Sequence, residues 1–273
     1  MGCQSKILVG AKLLSTYTQE MVTLQEIDAY LNRYLSVENF SDMCPNGIQV
    51  EGKSEVRKVA TAVSANLATI EAAIAAKADL LIVHHGLFWN RDSDALRIEG
   101  VKRKKLALLL HHNLSLLTYH LPLDAHPDVG NNWKVAKDLG WQNLQPFGLY
   151  QKSYIGVKAT FPPKPIDLFI KEIEAYYGHP ATVAKGGGEK VSSVALVSGG
   201  AYRELSQAAK EKVDCFITGN FDEPAWSMAH ESAIHFLALG HSSTERVGPK
   251  ALGGHLSQKF AIEVSFLDIP NPF

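Results

Sequence analysis

Three short stretches carry the side chains that could do chemistry: the adjacent pair His84-His85, the run His120-Leu-Pro-Leu-Asp124, and the run His241-Ser-Ser-Thr-Glu245. Imidazole and carboxylate together form a donor set for zinc, manganese, iron or nickel, and they recur as ligands in hydrolases. A pair of cations roughly 3.5–4 Å apart needs bridging groups, and Asp124 and Glu245 have that chemistry. The remaining coordination positions would take water, whose pKa such ions lower toward neutrality. An adjacent His pair alone is more often a turn or core feature than a pair of ligands. The reading gains weight because every stretch ends an apolar run, and because the frame around these runs occurs twice.

The first copy runs from Lys58-Val-Ala-Thr-Ala-Val63-Ser64 through an Ala-rich helical stretch to Ala78-Asp79-Leu-Leu-Ile-Val83-His84-His85-Gly86. The second runs from Ser193-Val-Ala-Leu-Val197-Ser198 through a helical stretch to Val213-Asp214-Cys-Phe-Ile217-Thr218-Gly219-Asn220. Each then offers another helix and a third apolar run, Leu114–Tyr119 or Ile234–Leu239, closing on His, three residues and a carboxylate. Continuous apolar strands separated by helices predict sheets covered on both faces and mostly parallel. Ligands in such folds gather at the carboxyl ends of strands, where all these candidates fall.

The expected architecture is therefore α/β: two similar halves, each a mostly parallel sheet flanked by helices, with a metal site in the cleft between them. The first half covers 21–140 and carries His84, His85 and Asp124; the second covers 193–273 and carries His241 and Glu245. Residues 141–192, with Phe161-Pro-Pro-Lys-Pro165 and Gly186-Gly-Gly188, are expected to connect them. The glycine cluster lacks the Lys-Ser/Thr ending of a phosphate-binding loop and reads as a turn. Helical periodicity begins at Leu24, with Thr23 placed as a cap and Glu26 to close a capping box. Residues 1–20 are expected to be a loosely ordered extension, with Met21 a candidate start. Lys6 stands where a myristoylation signal requires Ser or Thr.

Charge and composition exclude other classes. The 273 residues carry a formal net charge of −1, which argues against electrostatically driven nucleic-acid or membrane binding. The run Lys102-Arg103-Lys104-Lys105 reads as a solvated helix face. Three scattered cysteines build neither a disulfide framework nor a thiolate metal site and suit a reducing cytoplasm. The apolar runs are too short for a membrane span.

The stretches Ser41-Asp42, Pro45-Asn46-Gly47-Ile48-Gln49-Val50-Glu51-Gly52, Ile82–Gly86, His120–Pro127 with Gly130-Asn131-Asn132, Ile217–Gly219, Gly240-His241 with Thr244-Glu245-Arg246, and Asp268-Ile-Pro-Asn-Pro272 arrive in an order that resembles one family. This is the GTP cyclohydrolase type 2 homologue family, the Ngg-interacting-factor-like dinuclear metal proteins, in its compact bacterial form. The resemblance implies two divalent metal cations per subunit on His84, His85, Asp124, His241 and Glu245, and a toroidal homohexamer with the sites facing inward. It places His120 beside the site. The family commonly has an acidic residue where this chain has Asn220, which cannot act as a general base; Asp222 and Glu223 are the nearby acids that could substitute. The function implied is a metal-dependent hydrolase acting on a small-molecule or nucleotide substrate, GTP by the family's name. A non-catalytic metal-binding regulator or metal chaperone is the alternative.

Overall fold

The computed structural model describes residues 21–90, 92 and 97–273, so the expectation for residues 1–20 lies outside the described residues. In chain order the strands are β1 (Val22–Thr23), β2 (Gly47–Val50), β3 (Glu55–Val56), β4 (Lys58–Ser64), β5 (Leu80–His85), β6 (Ser115–Thr118), β7 (Gln142–Tyr150), β8 (Ser153–Pro165), β9 (Thr182–Lys185), β10 (Lys190–Leu196), β11 (Cys215–Thr218), β12 (His235–Ala238) and β13 (Glu263–Phe266). The helices are α1 (Leu24–Tyr34), α2 (Leu67–Ala75), α3 (Gly100–His111), α4 (Leu121–Ala125), α5 (Trp133–Asp138), α6 (Ile166–Tyr177), α7 (Leu205–Lys210), α8 (Pro224–Glu231), α9 (His241–Thr244) and α10 (Val247–Phe260). None of the described helices is long and apolar enough to cross a membrane.

The α/β architecture stands as expected, built on two large sheets, with β1 and β3 forming a separate antiparallel pair. Among the described residues the first sheet runs β13-β4-β5-β6-β2 and the second β7-β8-β10-β11-β12-β9. Each contains the duplicated core of three adjacent parallel strands, β4-β5-β6 and β10-β11-β12. Continuous apolar sequence in β5 follows from burial on both faces. Leu80 and Ile82 pack toward α1 and α10, while Leu81 and Val83 pack toward α2 and α3. The second sheet is enclosed likewise, by Phe169 and Ile173 of α6 on one face and Leu205 and Ala229 of α7 and α8 on the other. The first helix starts where its capping box predicts, with Glu26 N donating to Thr23 Oγ1 at 3.2 Å and Thr23 N to the Glu26 carboxylate at 2.8 Å.

Two features differ from the sequence expectation. The segment 141–192 supplies β7, β8, α6 and β9 to the second sheet instead of merely connecting two halves. Those strands pair antiparallel with their neighbours, so the second sheet is mixed where a mostly parallel one was expected. Proline obscures the long strand β8, because it removes a ladder donor and demotes a strand reading. The structure absorbs Pro162 and Pro163 at a register shift opposite Val191–Ser193. The described chain also crosses between the two large sheets twice. After β6 it passes through α4 and α5 into β7, and after β12 it passes through α9 and α10 back to β13, which pairs parallel with β4. Asp124 lies on the first crossing and Glu245 on the second.

The aspartate that opens the middle strand has the same job in both copies. Asp79 Oδ2 accepts from the backbone N–H groups of Arg57 and Lys58 at 3.0 and 3.1 Å. Asp214 Oδ2 accepts from those of Ser192 and Ser193 at 2.8 and 2.9 Å. Burial opposes ionisation of each, but Lys53 and the backbone donors at Asp79, and the Ser192 and Ser193 donors at Asp214, outweigh it and hold both carboxyls below the usual range. Such groups stabilise the fold above the unfolded carboxyl pKa of about 3.9, and that contribution is lost as pH falls through their lower folded values. Replacing Asp214 by Ala is expected to cost about 1–3 kcal/mol at neutral pH. The deficit should shrink on acidification, measured by denaturant midpoints at several pH values.

Candidate metal centre

His84 and His85 end β5. Side chains of successive strand residues normally face opposite sides, yet here both rings reach one carboxylate, because the strand stops at His85 and Glu245 enters from the second crossing. His84 Nε2 lies 3.5 Å from Glu245 Oε1 and 3.6 Å from Asp124 Oδ1. His85 Nε2 lies 3.3 Å from Glu245 Oε2, and His241 Nε2 lies 3.2 Å from Glu245 Oε1. Ligands from both ends of the chain therefore converge. Their donor atoms form groups that could hold a metal ion: His84 with Asp124 and Glu245, His85 with His241 and Glu245, and His84 with His85 and His120.

Two donors each about 2.1 Å from one tetrahedral ion stand about 3.4 Å apart. The imidazole–carboxylate separations of 3.2–3.6 Å match that figure better than an ordinary hydrogen bond. His84 Nε2 and Glu245 Oε2 are also buried with no hydrogen-bond partner. Buried polar atoms are seldom left so. A cation between them satisfies both, so these residues fit a metal.

The other nitrogen of each ring is already engaged. His84 Nδ1 pairs with the Tyr119 carbonyl at 3.1 Å, His85 Nδ1 with Ser64 Oγ at 3.0 Å, and His241 Nδ1 with Asn220 Oδ1 at 3.1 Å. The carbonyl and amide oxygens accept from Nδ1 of His84 and His241, and all three contacts leave Nε2 of each ring facing the carboxylates as the donor atom. Asp124 Oδ1 accepts from Asn131 Nδ2 at 2.8 Å and Ser198 Oγ at 3.0 Å. Gly199, with φ +67°, lies so close that a Cβ would meet Glu245 Oε1 at 2.3 Å, which bars any side chain there.

His120 lies beside the group. Its Nδ1 sits 2.8 Å from Asp42 Oδ1, and Asp42 also accepts from Cys44 N and Leu121 N. The rings of His84, His85 and Trp89 surround it at centroid distances of 4.9, 5.6 and 5.2 Å. Asp222 and Glu223 occupy the exposed turn before α8, and neither carboxylate belongs to the converging groups. Asn220 takes an orienting position instead of an acid–base one. His111 and His112 are exposed at the end of α3, away from the cluster. Ser64, Ser198, Asn131 and Asp42 had no role from sequence alone. The repeat held the signal for two of them, since Ser64 and Ser198 both follow a valine at the end of equivalent strands.

Burial and charge oppose each other here. Desolvation works against a charged His84, but Asp124 and Glu245 outweigh it and raise the ring to about 9. Burial pushes His85 down to about 3. It holds the Asp124 carboxyl above its usual value, whereas His85 and His84 keep Glu245 well below the usual carboxylate range despite burial.

A profile of the Duf34/NIF3 (NGG1p interacting factor 3) family matches residues 22–272. A Chlamydia trachomatis serovar D protein named GTP cyclohydrolase 1 type 2 homolog is 55% identical over 245 residues, covering 89% of this chain and 96% of that protein. The solved structure of protein ybgI, described as of unknown function, superposes with a TM-score of 0.85 at 38% identity, covering 92% of this chain and 100% of that one. TTHA1606 from Thermus thermophilus superposes with a TM-score of 0.84 at 34% identity and the same coverage.

Metal uptake has to displace the proton that His84 holds up to about 9. Zinc binding is therefore expected to release protons at neutral pH and to weaken as pH falls from about 8 to about 6. Calorimetry in buffers of unequal ionisation enthalpy reads the release directly; equal heats in all buffers, with pH-independent affinity, would contradict it.

Proposed function

This chain belongs to the Duf34/NIF3 family, and on that premise we propose that it is a dinuclear metal-dependent hydrolase acting on a nucleotide-like substrate. The observation that carries the reading is the shared carboxylate. Glu245 joins His84 and Asp124 in one possible metal group and His85 and His241 in another. Two divalent cations held there would supply water of lowered pKa and an electrophilic clamp on the substrate.

The chain's own residues complete the chemistry. Asp42 fixes the His120 ring through Nδ1 beside the rings of His84 and His85, and the remaining Nε2 would carry a proton between water and the leaving group. His85 and His241 are partly open, with 20% and 35% of their side chains exposed, so substrate would arrive on that side. The buried partners His84, Asp124 and Glu245, each at most 8% exposed, favour a retained centre over a metal-delivery role.

The relatives' name points to GTP. In that form of the proposal, water adds at C8 of guanine and the C8–N9 bond breaks to open the imidazole ring as a formamide; a second water then hydrolyses the formamide, leaving the amine on the pyrimidine and releasing formate. A toroidal homohexamer belongs to the same proposal, and light scattering would then read about six times the 29.9 kDa chain.

Elemental analysis of the dialysed protein is expected to find two divalent metals per chain, with Glu245→Ala losing both and all hydrolysis. His120→Ala should keep the metals while kcat falls by about 10²–10⁴. Incubation with GTP should yield formate. Full metal content with no formate would remove GTP, and absence of metal from the parent protein would remove the whole reading.

A further inference from the structure

The metal centre leaves unexplained a cavity of about 470 Å³ at the seam between the sheets. It is walled by the last turn of α6, by α5, by the first turn of α10 and by the end of β13. Ligand cavities span roughly 300–1,000 Å³, so its volume suits a small molecule.

The charges on its walls do not cancel. Asp138 is taken by Lys134 and by the Tyr176 hydroxyl, which donates to Oδ2 at 2.8 Å. Asp268 is taken by Arg246 at 3.1 Å. Both acids are therefore engaged, and Lys250 lines the same space with no carboxylate partner among the described residues. Phe266, Val247 and Ala251 supply apolar surface beside it. An anionic head facing Lys250 and an apolar body against Phe266 is the complementary shape and charge.

Position adds a consequence. Ser243 and Arg246 line the cavity, and they flank Glu245, whose own carboxylate points into the metal centre. Ser243 Oγ and Arg246 Nη2 both donate to the Tyr177 carbonyl, at 3.4 and 2.6 Å. These bonds fasten the turn that carries Glu245 to α6. A ligand that draws on the Arg246 guanidinium competes with them.

We infer that this cavity binds a small organic anion with an apolar body and that its occupancy changes metal affinity at the centre through the Glu245 turn. The coupling rests on the metal reading above; the binding does not.

The metal-loaded protein is titrated with 8-anilinonaphthalene-1-sulfonate, a monoanion with an aromatic body. Saturable fluorescence is expected at one site per chain. Lys250→Glu and Lys250→Gln, at an exposed position that leaves the core intact, should weaken it by about tenfold. Lys152→Glu, on the exposed turn between β7 and β8, should leave it unchanged. By reciprocity, saturating probe should shift zinc affinity by about fivefold or more in the parent and not in Lys250→Glu. Equal probe binding by the parent and both Lys250 variants would overturn the site, and Lys250-dependent binding with unchanged zinc affinity would overturn the coupling. Lys250-dependent binding by a protein that takes up no metal at all would fail the metal reading while leaving the cavity standing.

Discussion

The structure turns on two carboxylates held out of water at the two places where the described chain passes from one large sheet to the other. Asp124 is 6% exposed and Glu245 3%. An unpaired buried charge is severely unfavourable, so each needs opposite charge or hydrogen-bond donors nearby. Asp124 has two donors, Asn131 and Ser198, drawn from the two sides of the seam. Glu245 has three imidazoles facing it and no ordinary hydrogen bond on Oε2. That imbalance suits the position to a cation, because a carboxylate so enclosed is best neutralised by positive charge between it and the rings.

The duplicated frame explains how such a site is kept in shape. Both copies carry Val-Ser at or just past the end of their first parallel strand, and both serines bond to residues of the candidate centre. Ser64 holds the His85 ring from outside the cluster, and Ser198 holds Asp124. Both copies also clamp the start of that strand with the aspartate opening the next one. The repeat thus supplies rigid strand ends twice, while the side chains that follow the middle strand differ: two candidate ligands, His84 and His85, on one copy, and the orienting Asn220 on the other. Asn220 cannot accept a proton, but its amide oxygen pairs with His241 Nδ1 as a carboxylate would, so the His241 ring stays oriented for ligation. In the proposed reaction the proton-carrying position falls to the His120–Asp42 pair.

Much was legible in the sequence. Apolar runs bounded by turns marked the parallel cores, the capping residues marked α1, and the recurring His-x3-carboxylate marked both crossings. The edges of the second sheet were not legible. Proline and glycine in 141–192 carry the local signature of a linker, yet β8 tolerates its prolines because the register shift removes the ladder positions they would spoil. Asp222 and Glu223 look available by sequence distance and are not, since the chain turns outward after β11.

Sequence by itself determined the residue types that can ligate, the strand ends on which they sit and the twofold repetition of the frame, because these depend on side-chain chemistry and local periodicity. Tertiary structure decided which groups share Glu245, which polar atoms stay unpartnered and which serine or amide braces each ligand. Those properties arise only when α10 carries the chain back so that β13 can pair with β4, and no local pattern encodes the closing of contacts between residues so far apart along the polymer.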